Sequence, residues 1–195
     1  MQIKRYIVFK ITLPSSFILI MFFYCNMVFA QFPYQDSKLS VETRVQDLLN
    51  RMTLKEKVAQ MCQYVGLEHI KNAEKKRIAN KKLSNDAQAF YPNLKVSDIE
   101  QKIINGEIGS FLHVLTAKEA NYLQSLAQKS RLKIPLLIGI DAIHGNGMVK
   151  GSTIFPSPIS ISSSWDISLQ KEIAKATAEE MKATGSQWAF SPNLD

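Results

Sequence analysis

The stretch from Pro135 to Gly145 (PLLIGIDAIHG) constrains the fold of this chain more than any other. An apolar run stops abruptly on a carboxylate, then a histidine, then a glycine. A short apolar run that follows a proline and is bounded by turn residues reads as a strand buried on both faces. Such strands belong to parallel sheets covered by helices, in which functional groups stand just past the carboxyl ends of the strands. Asp141 and His144 are therefore the residues placed to hold a ligand. A carboxylate there can accept hydrogen bonds from neighbouring hydroxyls, as a sugar requires, although a turn or N-cap aspartate has the same local pattern. His144 reads as a support of the turn, bonded to Asp141 or to a loop carbonyl, rather than as a catalytic base.

The surrounding rhythm is regular. Ile108–Val114 reads as a strand. Thr116-Ala117-Lys118-Glu119 is a capping box opening a helix that runs to about Arg131. Pro135–Ile140 is the next strand, followed by a long loop, Gly145–Asp166, with Pro156 and Pro158. A helix over Ile167–Thr184 closes at Gly185, and Trp188-Ala189-Phe190 begins a third strand. Alternation of this kind makes parallel βαβ units. No G-x-G-x-x-G and no P-loop lies between them, which disfavours a nucleotide-binding sheet. The expected fold is α/β, an incomplete (β/α)8 barrel with its first three strands, preceded by N-terminal helices. A barrel takes roughly 250 residues, so the chain reads as the front part of a longer protein.

Ahead of the barrel rhythm, Val41, Val45, Leu48 and Leu49 recur at helical spacing. Thr53-Leu54-Lys55-Glu56 is another capping box, opening a helix with Leu54, Val58, Met61 and Cys62 on its apolar face. Residues 66–105 are polar and basic. They are expected to be an insertion with some helix, including Val96–Ile104, and containing Phe90-Tyr91-Pro92.

Residues 1–30 have a positive start (Lys4, Arg5, Lys10), an apolar block over 17–27 and a Val28-Phe29-Ala30 ending. This is the pattern of a secretory signal peptide cleaved after Ala30; the block is shorter than the roughly 20 apolar residues of a membrane span. Residues 31–40 read as a leader. The expected location is secreted, periplasmic or cell-surface, with no stable membrane anchor after cleavage. Removing residues 1–30 leaves 21 Lys+Arg against 17 Asp+Glu, a net charge of +4 rather than +7. Much of it sits in Lys71–Lys82 (KNAEKKRIANKK). That run lacks an aromatic for base stacking and reads as a solvated helix face, so no nucleic-acid partner is expected. Cleavage also leaves one cysteine, Cys62, read as a small core residue without a disulfide.

No second His or Cys lies at metal-ligand spacing, so no metal and no cofactor is expected; His69 and His113 look isolated. A G-x-S-x-G elbow and a Cys–His pair are both absent. Trp165 and Trp188 flank element ends and read as packing residues rather than a sugar platform.

Several of these segments, in order, resemble glycoside hydrolase family 3. They are Leu49-x-x-Met52-Thr53-Leu54-x-Glu56-Lys57, Ile108-Gly109-Ser110, Ile134–Gly145, Gly151-Ser152-Thr153-Ile154-Phe155-Pro156, Trp165-Asp166, Ala178-Glu179-Glu180-Met181-x-Ala183-Thr184-Gly185 and Trp188–Asp195. The resemblance covers residues 41–195 and is nearest to exported bacterial β-glucosidases. It implies an N-terminal barrel domain of a retaining hydrolase acting on an oligosaccharide or glucoside. In such an enzyme one carboxylate is the nucleophile and another the acid/base, about 5–5.5 Å apart. By the same resemblance the nucleophile lies on a later strand and the acid/base in a following domain. No catalytic residue then falls within these 195 residues, and Asp141 matches the aspartate that grips hydroxyls of the non-reducing-end sugar. The loop at Ser157-Pro158 and the 66–105 segment depart from the family pattern. The competing reading is a non-catalytic or vestigial sugar-binding protein. A β-xylosidase or an N-acetylglucosaminidase of the same family ranks below the β-glucosidase. The N-acetylglucosaminidase branch carries Asp-Gln-Glu-Gly-Gly-type residues where this chain has Asp141-Ala142-Ile143-His144-Gly145.

Overall fold

A computed structural model describes residues 32–83 and 93–193. The expected signal peptide, Phe90-Tyr91-Pro92 and the last two residues lie outside them. The chain divides into two compact units, Met1–Arg51 and Met52–Asp195.

In the described part of the first unit, a 3-10 turn (Pro33–Gln35) precedes helix α1 (Val41–Arg51). Ser40 Oγ accepts the Thr43 N–H at the helix start, a side-chain cap for one of the donors a helix leaves unpaired. Asp47 ties the two elements together. It accepts the Tyr34 N–H at 3.1 Å and both the Nε and Nη2 of Arg51 at 2.9 Å. The Arg51 guanidinium lies 4.3 Å from the Phe32 ring centroid.

The second unit is a parallel sheet with helices on one face. In chain order it holds α2 (Leu54–Ala59), β1 (Gln63–Val65), α3 (Leu67–Ile78), α4 (Val96–Ile104), β2 (Ser110–Leu112), α5 (Ala117–Ala127), β3 (Leu137–Ile140), α6 (Pro158–Ser162), α7 (Ile167–Thr184) and β4 (Trp188–Ala189). Sheet order equals chain order, β1-β2-β3-β4, and every pairing is parallel. The register aligns Gln63 with Ser110 with Leu137, and Gly139 with Trp188. Neighbouring parallel strands joined through helices, in sequential order, form the opening of a barrel wall; the barrel is not closed.

Alternation along the strands sorts their side chains. Phe111 and Ile138 face the helices and are fully buried in a cluster with Leu67 and Ile70 of α3, Ile99 and Ile103 of α4, and Leu123 of α5. Ile140 begins a second cluster with Ala142, Val149 and Met181 of α7. The opposite face carries Ser110, Leu112, Leu137, Gly139 and Trp188. Gly139 lies against Phe190: a Cβ there would meet the ring carbon Cζ at 2.5 Å. The expected burial on both faces holds from Ile138 to Ile140 but not at Leu137, which is 43% exposed on the opposite face.

Helix α7 has the expected bounds. Asp166 caps its start by accepting the Leu169 N–H, and Gly185 at φ +88° closes it, a left-handed C-cap that glycine adopts without a Cβ clash. Helix α4 also has the expected bounds, Val96–Ile104, whereas β2, β3, β4 and α5 are shorter than expected, each losing residues at its ends. Four strands are present among the described residues rather than three. Strand β1 escapes sequence reading because three residues show no usable alternation. With β1 in place, residues 66–105 contain the crossover from β1 to β2, and their apolar residues Leu67, Ile70, Ile99 and Ile103 are core.

The expected apolar face of α2 differs as well. The helix ends at Ala59, so Met61 and Cys62 fall in the turn into β1, and Cys62 is only half-buried. Leu54, Val58 and Met61 are exposed, and the buried residue is Ala59. The long loop before α7 contains a short helix, α6, opened by Pro158 at its first turn, where the missing N–H costs no helical bond.

Candidate functional site

The strands end together on one edge, and the next residues form its rim. Gly66 follows β1 and donates its N–H to Leu112 O at 2.8 Å. His113 follows β2 and donates its N–H to Gly139 O at 2.8 Å. Asp141 follows β3. Phe190 follows β4 and donates its N–H to Ile140 O at 3.0 Å, and Ser191 Oγ donates to Ala142 O at 3.2 Å. The ladder thus continues one residue past β1, β2 and β4.

Two rim residues adopt left-handed backbone, His113 at φ +56° and Ala142 at φ +48°. Non-glycine residues held there cost on the order of 1 kcal/mol or more and occur preferentially at functional sites. The turn at Ala142 takes the chain away from the strand immediately after Asp141 and leaves that carboxylate at the rim, half-exposed. It borders an open groove lined by Ile143, His144, Gly145, Gly147, Met148 and Ile154.

Asp141 and His144 do not meet as partners. His144 Nδ1 lies 3.0 Å from Phe155 O, and the Phe155 N–H donates to His144 O at 2.8 Å. This is the loop-carbonyl alternative, and it makes His144 a brace of the loop that forms the groove wall. Gly145 is required beside it. Its φ is +99°, and a Cβ would collide with Thr153 O. The same loop is held from α7: Glu180 accepts the Thr153 N–H with both oxygens, at 3.1 and 3.0 Å, and the Thr153 hydroxyl at 2.7 Å. Beneath it, fully buried Asn146 donates to Thr184 Oγ1 at 3.1 Å.

The residue that does approach Asp141 is His113, expected to be isolated. Its Nε2 is 3.3 Å from Asp141 Oδ2. The approach is an ion-pair distance without hydrogen-bond alignment, since the buried Nε2 has no hydrogen-bond partner among the described residues. His69 of α3 is not isolated either; its ring centroid is 6.3 Å from that of His113. Burial lowers the His69 pKa, and the nearby His113 charge lowers it further. The signal for this cluster is the strand register. Leu112 pairs with Gly139, so the register carries His113 to the level of Ile140, one residue before Asp141, and no spacing within one segment reports that.

Glu119 completes the surroundings. Thr116 accepts the Glu119 N–H at 3.1 Å, as a capping box requires. The Glu119 carboxylate does not reach back to Thr116; Oε1 instead accepts the N–H groups of Leu67 and Glu68 at the start of α3. Burial raises the Glu119 pKa against the pull of those two donors.

Trp165 and Trp188 stay apart in role. Trp188 packs on Phe190 with centroids 4.6 Å apart. Trp165, expected to pack, is 91% exposed in the turn before α7. Among the described residues no group of three or more His, Cys, Asp or Glu is arranged to hold a metal ion. None of the described helices is long and apolar enough to cross a membrane.

The family model "Glycosyl hydrolase family 3 N terminal domain" matches residues 53–195. A lysosomal beta glucosidase of Dictyostelium discoideum is 26% identical over 157 residues, covering 78% of this chain and 19% of that protein. A periplasmic beta-glucosidase/beta-xylosidase of Dickeya chrysanthemi is 27% identical over 180 residues, covering 84% of this chain and 25% of that protein. Among solved structures, a Q683A mutant of an exo-1,3/1,4-beta-glucanase from a Pseudoalteromonas species aligns with a TM-score of 0.57 and 28% identity. That alignment covers 85% of this chain and 25% of the other. The chain therefore spans a fifth to a quarter of the length of these relatives.

Proposed function

This chain belongs to glycoside hydrolase family 3 through that family's N-terminal domain, and on that footing we propose that the protein is an exported, retaining β-glycosidase. It releases terminal non-reducing β-D-glucosyl residues from oligosaccharides. The observation that carries the reading is Asp141: an ionisable carboxylate just past β3, at the edge of an open groove, on the rim where barrel enzymes bind their substrates. Its oxygens accept hydrogen bonds from sugar hydroxyls, and a charged acceptor makes each of those bonds stronger than a neutral one. Ile143, Met148 and Ile154 give the groove an apolar wall for a sugar face. Asp141 holds the sugar; the nucleophile and the acid/base that make and break the glycosyl–enzyme bond come from beyond residue 195.

Export rests on the signal pattern over residues 1–30, and a relative named as periplasmic agrees with it. The test is hydrolysis of an aryl β-glucoside, with the aryl β-xyloside in parallel, by the full-length protein. Asp141→Ala lowers kcat/KM by roughly a hundredfold or more, about 3 kcal/mol of transition-state binding. Turnover unchanged by the substitution removes Asp141 from the sugar site, and faster turnover of the xyloside reassigns the sugar.

A further inference from the structure

His113 has a costly backbone and an unspent polar atom, and both are accounted for by Asp141. Its left-handed φ of +56° is locked by the N–H bond to Gly139 O at 2.8 Å. Behind it, Gly66 approaches so closely that a Cβ would stand 2.6 Å from His113 O and 3.1 Å from Glu119 Oε1. The direction of the imidazole is thereby set, and its buried Nε2 faces Asp141 Oδ2 at 3.3 Å. An imidazole carrying its only proton on Nδ1 would aim a lone pair at that carboxylate. The arrangement is attractive only with a proton on Nε2.

We propose that His113 is a positioning residue for Asp141. A proton on Nε2 draws Oδ2 into a charge-assisted contact and holds the carboxylate in one orientation, leaving Oδ1 for sugar hydroxyls. The last clause rests on the sugar-binding reading of Asp141; the pairing itself does not. The other titratable groups near this pair are His69 and Glu68 of α3 and Glu119 of α5, with Lys71 close to Glu119. A second cation on His69, 6.3 Å away, would oppose the proton on His113, so His69 works as the neutral member of the histidine pair.

The experiment follows the imidazole nitrogen resonances of the whole chain, which has only three histidines, by NMR at one fixed pH. In Asp141→Asn the His113 Nε2 resonance moves, because the carboxylate facing it is lost, while the His144 resonances stay in place. A His113 Nε2 resonance unchanged in Asp141→Asn overturns the pairing. D-glucose is then titrated into the chain. His113→Phe, which keeps a ring of similar size, weakens glucose binding about tenfold, and His113→Gln, which keeps a donor near the Nε2 position, restores most of it. Equal glucose affinity in a folded His113→Phe overturns the positioning role. No glucose response from the unaltered chain overturns the sugar reading of Asp141, and the Asp141→Asn spectrum still decides the pairing.

Discussion

Arg131 grips Glu56 at two points across 75 residues of chain, Nη2 to Oε2 at 2.6 Å and Nε to Oε1 at 3.0 Å. The same carboxylate closes the Thr53 capping box, accepting the Thr53 N–H and hydroxyl at 2.9 Å each. One side chain therefore joins the start of α2 to the segment between α5 and β3. A parallel two-point contact with arginine adds geometric specificity to a charge-assisted pair, whose bonds are stronger than neutral ones.

That pair makes stability depend on acid. Arg131 holds the Glu56 pKa at about 2, from an ordinary 4.5. A carboxyl whose folded value is depressed contributes stability above its unfolded value and loses it as pH falls through the folded one. The expected loss runs from about pH 4.5 down to about 2. Glu56→Gln costs on the order of 1 kcal/mol at neutral pH and flattens the acid limb. Unfolding of both forms across that range, measured in urea, checks this; parallel acid limbs would exclude the pair as the cause.

Glu119 has the opposite sign. Burial raises its pKa, so its contribution is full below the ordinary carboxyl value and declines as pH rises through the raised one. Glu119→Gln keeps an acceptor for Leu67 and Glu68 and removes the buried charge. It is expected to gain on the unaltered chain as pH rises above the ordinary carboxyl value. Glu119→Ala leaves two helix N–H groups uncapped and costs about 1–3 kcal/mol. Equal losses for Gln and Ala would show that the charge, not the acceptor, matters.

At Gly139 the constraint is volume. A methyl group there meets the Phe190 ring, and overpacking a filled site costs typically 1–3 kcal/mol. Gly139→Ala destabilises by that amount, and Gly139→Ala with Phe190→Leu recovers part of it. A double-mutant cycle on unfolding free energies checks this; additivity of the two changes contradicts the contact.

Glu180 controls the groove wall from a distance. Its bonds to Thr153 are the main polar link between α7 and the loop carrying Ile154 and Phe155. Glu180→Ala is expected to speed hydrogen exchange at the Thr153 and Phe155 amides by about tenfold or more, with the amides of β3 unchanged. Equal acceleration in β3 would mean general destabilisation instead.

The expectations that held were those carried by local chemistry. The Thr53–Glu56 box, the helix over Ile167–Thr184 with its Gly185 stop, and the apolar strand ending at Ile140 each follow from neighbours within a few residues. The family is likewise legible, because its motifs are short and ordered. Expectations failed where a partner from elsewhere in the chain decided the outcome. The Thr116–Glu119 box is half-made because the Glu119 carboxylate finds the N–H groups of Leu67 and Glu68. Leu54, Val58 and Met61 have helical spacing but stay exposed, since spacing specifies a face and not what covers it.

The sequence by itself determined the parallel α/β class, the family and the position of Asp141 at a strand end, because periodicity, caps and turn residues act over a few positions. Tertiary structure alone decided that β1 exists, that 66–105 contains a crossover packed into the core, and that Asp141 faces His113 while His144 braces Phe155. Those outcomes depend on strand register, which brings residues 28 positions apart in sequence to 3.3 Å in space, and register is set by packing the whole sheet against its helices.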